Sequence, residues 1–155
     1  MWRKLLGKTW RAMPVWARRT VIRATQPSFT VSAAVVVIDD VGRVLLLNHI
    51  LRPASGWGVP GGFLNVNEQP PETALREVFE ETGLKVTILE MFRVQTINRH
   101  VEFWFVGRAS GEAAVKSREI LEAKWFRFSE MPPEMSKKEQ RLIEQALQIG
   151  EKLQN

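Results

Sequence analysis

The sequence predicts a mixed α/β domain carrying a short helical extension at its N-terminus. Three observations lead there. The 155 residues suffice for one core of ordinary composition, 45% hydrophobic and 25% charged. Several short runs read as strands, one of them alternating with period two, and apolar residues recur with helical period in three other segments. Charge also divides the chain. Residues 1–30 hold Arg3, Lys4, Lys8, Arg11, Arg18, Arg19 and Arg23 and no acid, whereas the remainder holds 15 bases and 17 acids. The expected organisation is a basic, Trp-rich extension over residues 1–30 and a domain over 31–155.

The elements follow in chain order. Trp2, Leu6, Trp10 and Met13 recur at helical spacing, and Pro14 ends or kinks that helix. Residues 32–38, dominated by Val and Ala, predict a buried strand. Asp39-Asp40-Val41-Gly42 is a turn, and residues 43–49 return as a second strand. Residues 52–62 are rich in Pro and Gly and read as a loop that shapes a site. Residues 70–82 predict a helix, with Pro in its first turn and Gly83 as a left-handed stop. Leu75, Val78 and Phe79 form its expected apolar stripe. Residues 85–97 and 100–108 are strand-like, joined by an Asn98-Arg99 turn, and the second places Val101, Phe103 and Phe105 opposite His100, Glu102 and Trp104. Residues 124–128 predict a short strand. Ser136 and Glu139 have capping-box spacing before a final amphipathic helix.

Composition narrows the chemistry. There is no cysteine, which excludes a disulfide scaffold, a thiolate metal site and a cysteine nucleophile. His49 and His100 are the only histidines, so oxygen ligands and a hard ion such as Mg2+ are expected of any metal site. No apolar run reaches the roughly 18 residues of a membrane span. The basic charge lies in the extension, so it is no sign that the main domain binds nucleic acid.

One segment concentrates carboxylates. Glu77, Glu80 and Glu81 lie at i, i+3 and i+4 on the expected helix, which brings them to one face. Such a triplet ordinarily means a solvated acidic surface. Its flanks suggest more, because Gly61-Gly62 permits close backbone approach and Glu68 can pair with Arg76.

Gly62, five residues, Glu68, seven residues, then Arg76-Glu77-Val78-Phe79-Glu80-Glu81-Thr82-Gly83-Leu84 resembles the Nudix box at every defined position. Trp57-Gly58-Val59-Pro60-Gly61 looks like the usual entry to it. The resemblance implies a Nudix-like α/β/α sandwich with a mixed sheet, preceded by the basic helical extension. It also implies an Mg2+- or Mn2+-dependent hydrolase of nucleoside diphosphates linked to another group. By position, Glu80 and Glu81 are the implied main metal ligands, with Glu77 beside them and the Gly61 carbonyl completing the sphere. Glu77, Glu80, Arg76 and a general base form the implied catalytic set, with Glu68–Arg76 as a supporting ion pair. Glu119 is the first candidate for the base, with Glu102 and Glu122 as alternatives. Arg52, Trp57 and Trp104 are candidate substrate contacts, by stacking or by pairing with phosphate.

Substrate markers of the family are mostly absent. The chain has no tyrosine, no proline between Pro71 and Pro132, and no Ser-Gln-Pro-Trp stretch. These absences disfavour dinucleoside polyphosphates, ADP-ribose and NADH. The expected substrate is therefore a nucleoside diphosphate bearing a sugar, small alcohol or phosphate. The alternatives are an RNA-end pyrophosphohydrolase that grips RNA with the basic arm, and an inactive Nudix-fold binding module. The extension is expected to pack on its own domain or to form a homodimer, ahead of membrane or RNA contact. A cytoplasmic location is expected, with an Arg-rich organelle presequence as the alternative reading of residues 1–30.

Overall fold

A computed structural model of the chain describes residues 2–52 and 55–153. It divides into two compact units, Met1–Thr30 and Val31–Asn155. The first is the expected two-part helix. Helix α1 (Trp2–Ala12) and helix α2 (Val15–Thr25) are separated at Pro14, whose extended backbone breaks the first and whose carbonyl accepts the first bond of the second. No residue of either helix is buried.

The second unit is a sheet between two helices. Strand β1 (Thr30–Ile38) pairs antiparallel with β2 (Val44–His49) across the Asp39–Gly42 turn. Asp39 is buried and its Oδ1 accepts the backbone N–H groups of Val41 and Arg43, so this acid closes the turn from inside. Residues 52–62 are less irregular than expected. They contain β3 (Trp57–Gly58), paired with β2, and the start of β4 (Gly61–Phe63), paired with β1. Glycine permits the second pairing, because a Cβ on Gly61 would stand 2.5 Å from the Ala33 carbonyl oxygen.

Helix α3 spans Pro70–Thr82 and ends on Gly83 in the left-handed conformation, φ 76°. Strands β5 (Thr87–Ile97) and β6 (His100–Arg108) form a hairpin with Ile97 opposite His100, and Asn98 takes φ 55° in the turn. Strand β7 (Ile120–Phe126) begins four residues before the expected strand, because all of it finds β2 as a partner. Helix α4 (Lys137–Lys152) closes the fold. The strand order is β3-β2-β1-β6-β5, with β4 added on β1 and β7 on β2.

Period-two alternation builds two cores at once. Ala34, Val36 and Ile38 of β1, Val44 and Leu46 of β2, and Trp104 and Val106 of β6 pack with Leu142, Ile143 and Ala146 of α4. The intervening Ala33, Val35, Val37, Leu45, Leu47 and Phe105 pack with Ala74 and Val78 of α3. The sheet is therefore apolar on both faces, which is why its central strands read as continuous apolar runs.

Two expectations about helices are corrected. The inward face of α3 is Thr73, Ala74, Val78, Glu81 and Thr82, not Leu75–Val78–Phe79. Leu75 and Phe79 are exposed. Small side chains at 74 and 78 let the helix lie close on the sheet, and the larger pair is turned outward. Ser136 makes no side-chain cap, and Glu139 does not reach back to it. Glu139 is instead buried, drawn into the site described next.

Candidate active site

The site forms where β2, β4 and the start of β7 meet the α3 carboxylates. A cavity of about 440 Å3 is lined by Ser32, Ala34, His49, Arg52, Val59, Gly61, Gly62, Phe63, Glu102, Trp104 and Glu119, among others. Five sequence candidates stand in it: Arg52, Gly61, Glu102, Trp104 and Glu119. Glu77 and Glu81 of α3 stand beside it.

Arg76 organises the box. Its Nε and Nη2 donate to the two oxygens of Glu68 at 2.7 and 3.0 Å, a bidentate pair. Glu68 also accepts the Asn65 N–H, and Arg76 Nη2 reaches the Phe63 carbonyl at 3.2 Å, so the loop after β4 is tied to α3. The Arg76 guanidinium, then the Asn65 amide, hold the Glu68 carboxyl down to about 2. Arg76 Nη1 donates to Glu77 at 2.8 Å and to Glu80 at 3.2 Å. One guanidinium thus serves three of the four box carboxylates.

Glu81 is the one left out. It is buried on the inward side of α3, and its Oε2 has no hydrogen-bond partner. Burial first, then the Glu77 and Glu119 charges, push its carboxyl up to about 8, against the pull of Arg52 and the Gly61 N–H. The His49 Nδ1 lies 3.9 Å from Glu81 Oε1. Burial and the nearby Arg52 lower the His49 imidazole to about 4, so it is neutral at pH 7 and does not neutralise Glu81. Among the described residues, no three carboxylates or imidazoles stand in a metal-holding arrangement. Glu77 and Glu80 turn to Arg76 instead. The donor set nevertheless fits a hard cation, because Glu81 keeps an orphaned, buried oxygen next to other carboxylates. Gly62 is part of this fit, since a Cβ there would overlap the Glu77 carboxylate.

The other candidates separate. Glu119 is exposed at the cavity, and its carbonyl accepts the Ile50 N–H at 2.9 Å, which pins it beside the end of β2. Glu102 lines the cavity and accepts from Gln95 at 2.5 Å. Glu122 faces Lys124, which lowers its carboxyl, and does not line the cavity. Trp104 is buried edge-on to Phe92, and its Nε1 has no partner. Trp57 does not line the cavity and packs edge-on against Phe126.

Two site residues were not anticipated. Glu139 Oε1 accepts Arg52 Nη2 at 2.9 Å and the Val59 N–H at 3.0 Å, while Arg52 Nη1 reaches the Val59 carbonyl at 3.4 Å. A helix residue 87 positions away therefore holds the cavity arginine. Burial raises the Glu139 carboxyl, with Arg52 and the Val59 amide opposing. His49 is the second, placed at the site by the end of β2. Nothing local to either residue announces this, because both roles need chain segments far apart in sequence.

With this geometry in view, comparison with known proteins is direct. The model of the NUDIX domain matches residues 28–146. A NAD-capped RNA hydrolase NudC of Mannheimia succiniciproducens is 37% identical over 113 residues, covering 67% of this chain but 42% of that protein. A MutT-like protein of Streptomyces ambofaciens is 34% identical, covering 71% of each. The chain thus spans less than half of the NudC relative. Among solved structures, a NUDIX hydrolase from Nitrosomonas europaea superposes with a TM-score of 0.70 at 23% identity, covering 79% of this chain and 72% of that one. At that identity the likeness bears on the fold. The domain match, covering the sheet, α3 with its carboxylates and most of α4, shows that the chain belongs to the Nudix hydrolase family.

Proposed function

We propose that this chain hydrolyses a phosphoric anhydride in a nucleoside diphosphate linked to a sugar, a small alcohol or phosphate, using Mg2+, with Mn2+ as the substitute. The observation that carries the reading is Glu81. It is a buried carboxylate with an unpartnered oxygen, set among Glu77, Glu119 and the Gly61 backbone beside the cavity. Glu81, Glu77 and Glu80, with the Gly61 carbonyl, are the groups that would hold the cation. When bound, such a cation neutralises phosphoryl charge and lowers the pKa of a coordinated water.

The chain's own residues supply the rest. Arg52, restrained by Glu139 and the Val59 carbonyl, offers a fixed cation to a substrate phosphate. Trp104 gives the cavity an apolar wall. Glu119, exposed at the cavity, would accept a proton from the attacking water. Glu68 and Arg76 hold the loop that carries Gly61 and Gly62 against α3.

An RNA-end reading is supported by similarity to proteins named as NAD-capped RNA hydrolases, one of them 37% identical. The absent Ser-Gln-Pro-Trp stretch weighs toward a small nucleotide substrate. A panel of nucleoside diphosphate sugars, nucleoside triphosphates, NADH and NAD-capped RNA, with product analysis, tests both readings. Metal-dependent release of a nucleoside monophosphate from a small substrate supports the proposal. Turnover of capped RNA alone moves it to the second reading. Binding without turnover, with or without EDTA, makes the chain a binding module and sinks the proposal.

A further inference from the structure

Helix α1 separates its residues by chemistry. At about 100° per residue, Trp2, Leu5, Leu6 and Trp10 fall within an arc of about 140°. Arg3, Lys4, Lys8 and Arg11 fall within a second arc of about 140°, and the two arcs do not overlap. The structure agrees, since Arg3, Lys4, Lys8 and Arg11 line one shallow cleft. Trp2, Leu5 and Leu6 are 69%, 65% and 58% exposed. Helix α2 lacks this separation, because Val15, Trp16, Val21 and Ile22 are scattered around it.

We infer that α1 is an interfacial helix that attaches this enzyme to an anionic lipid surface. Nucleic acid asks for cations and aromatic rings on the same face, so that rings stack while charges meet phosphates. Here they lie on opposite faces, which suits the boundary between headgroups and acyl chains. The complete lack of acids in residues 1–30 matches an anionic surface and offers no charge complement to a second copy of the same helix. With 11 residues, α1 is too short to span, and no helix among the described residues is long and apolar enough to cross a membrane. It lies in the interface with its Trp indoles at headgroup depth.

The test uses the full chain and vesicles of phosphatidylcholine, alone or with phosphatidylglycerol. Binding is read by co-sedimentation and by a blue shift of tryptophan emission. Binding to the anionic vesicles is expected to exceed binding to neutral ones at least tenfold, and to weaken as salt rises from about 0.05 to about 0.5 M. Leu6→Glu should abolish it. Lys4→Gln and Lys8→Gln should each weaken it about fivefold. Far-ultraviolet circular dichroism checks that each variant keeps its helices, and Leu6→Ala, which preserves helix propensity, should still lose several-fold. No vesicle binding, or binding unchanged in Leu6→Glu and Leu6→Ala, overturns the inference. So does self-association that lipid leaves unchanged and Leu6→Glu abolishes, or salt-sensitive RNA binding in place of lipid binding.

Discussion

Removing Glu139 is the sharpest probe of how α4 serves the site. If Glu139 were the helix-capping residue that its spacing from Ser136 implies, Glu139→Ala would cost about 1 kcal/mol and would not depend on Arg52. The structure gives a different sum. Glu139 is 7% exposed and accepts both the Val59 N–H and Arg52 Nη2. Its loss orphans a buried amide, at about 1–3 kcal/mol. It also unpairs Arg52, whose side chain is 30% exposed and can still reach water, so the full penalty of a broken buried pair is not incurred. About 3 kcal/mol in total is expected, or roughly 6–12 °C in Tm for a domain of this size. Glu139→Gln keeps the acceptor for Val59 and loses only the charge, so about 1 kcal/mol is expected. Urea unfolding of Arg52→Ala, Glu139→Ala and the double variant should give a coupling of about 1.5 kcal/mol or more. In activity, Glu139→Gln should raise KM more than it lowers kcat, because a loosened Arg52 first weakens phosphate binding. A coupling near zero, with Glu139→Ala costing no more than a lost cap, would refute the tether.

Other consequences follow from the same geometry. Glu81→Gln replaces a buried carboxyl by a neutral isostere, so folding should persist while turnover falls on the order of 100-fold or more, checked by steady-state kinetics. Near-wild-type turnover would remove Glu81 from the site. Glu68 is held at about 2 in the folded chain against an ordinary 4.5. Its pairing therefore contributes full stability above about pH 4.5 and loses it as pH falls through about 2. Urea midpoints across that range should flatten in Glu68→Gln. Gly62→Ala forces the Glu77 carboxylate aside, so it should cut metal-dependent turnover at least tenfold while leaving far-ultraviolet circular dichroism unchanged. Deleting residues 1–24 should leave turnover of a small nucleotide within about threefold, since the box residues all lie beyond Gly61. A folded truncation without turnover would place the extension in the catalytic reaction.

Local order was legible because it is set by neighbours in sequence. The continuous apolar run of residues 32–38, the period two of residues 100–108, the helix from Pro70 to the left-handed Gly83, and the break at Pro14 all depend on contacts or dihedrals within a few residues. The spacing from Gly62 to Leu84 was equally plain, because one loop and one helix carry the whole box. Tertiary structure decided what needs distant chain. It turned Leu75 and Phe79 outward and Glu81 inward, since the close approach of α3 to the sheet favours the small face at Ala74 and Val78. It extended β7 back to Ile120 because β2 was there to pair. It packed Trp57 edge-on against Phe126. It converted Glu139 from a cap into the anchor of Arg52, because a buried carboxylate takes the strongest donors available, and those lay on a loop that only folding brings to α4.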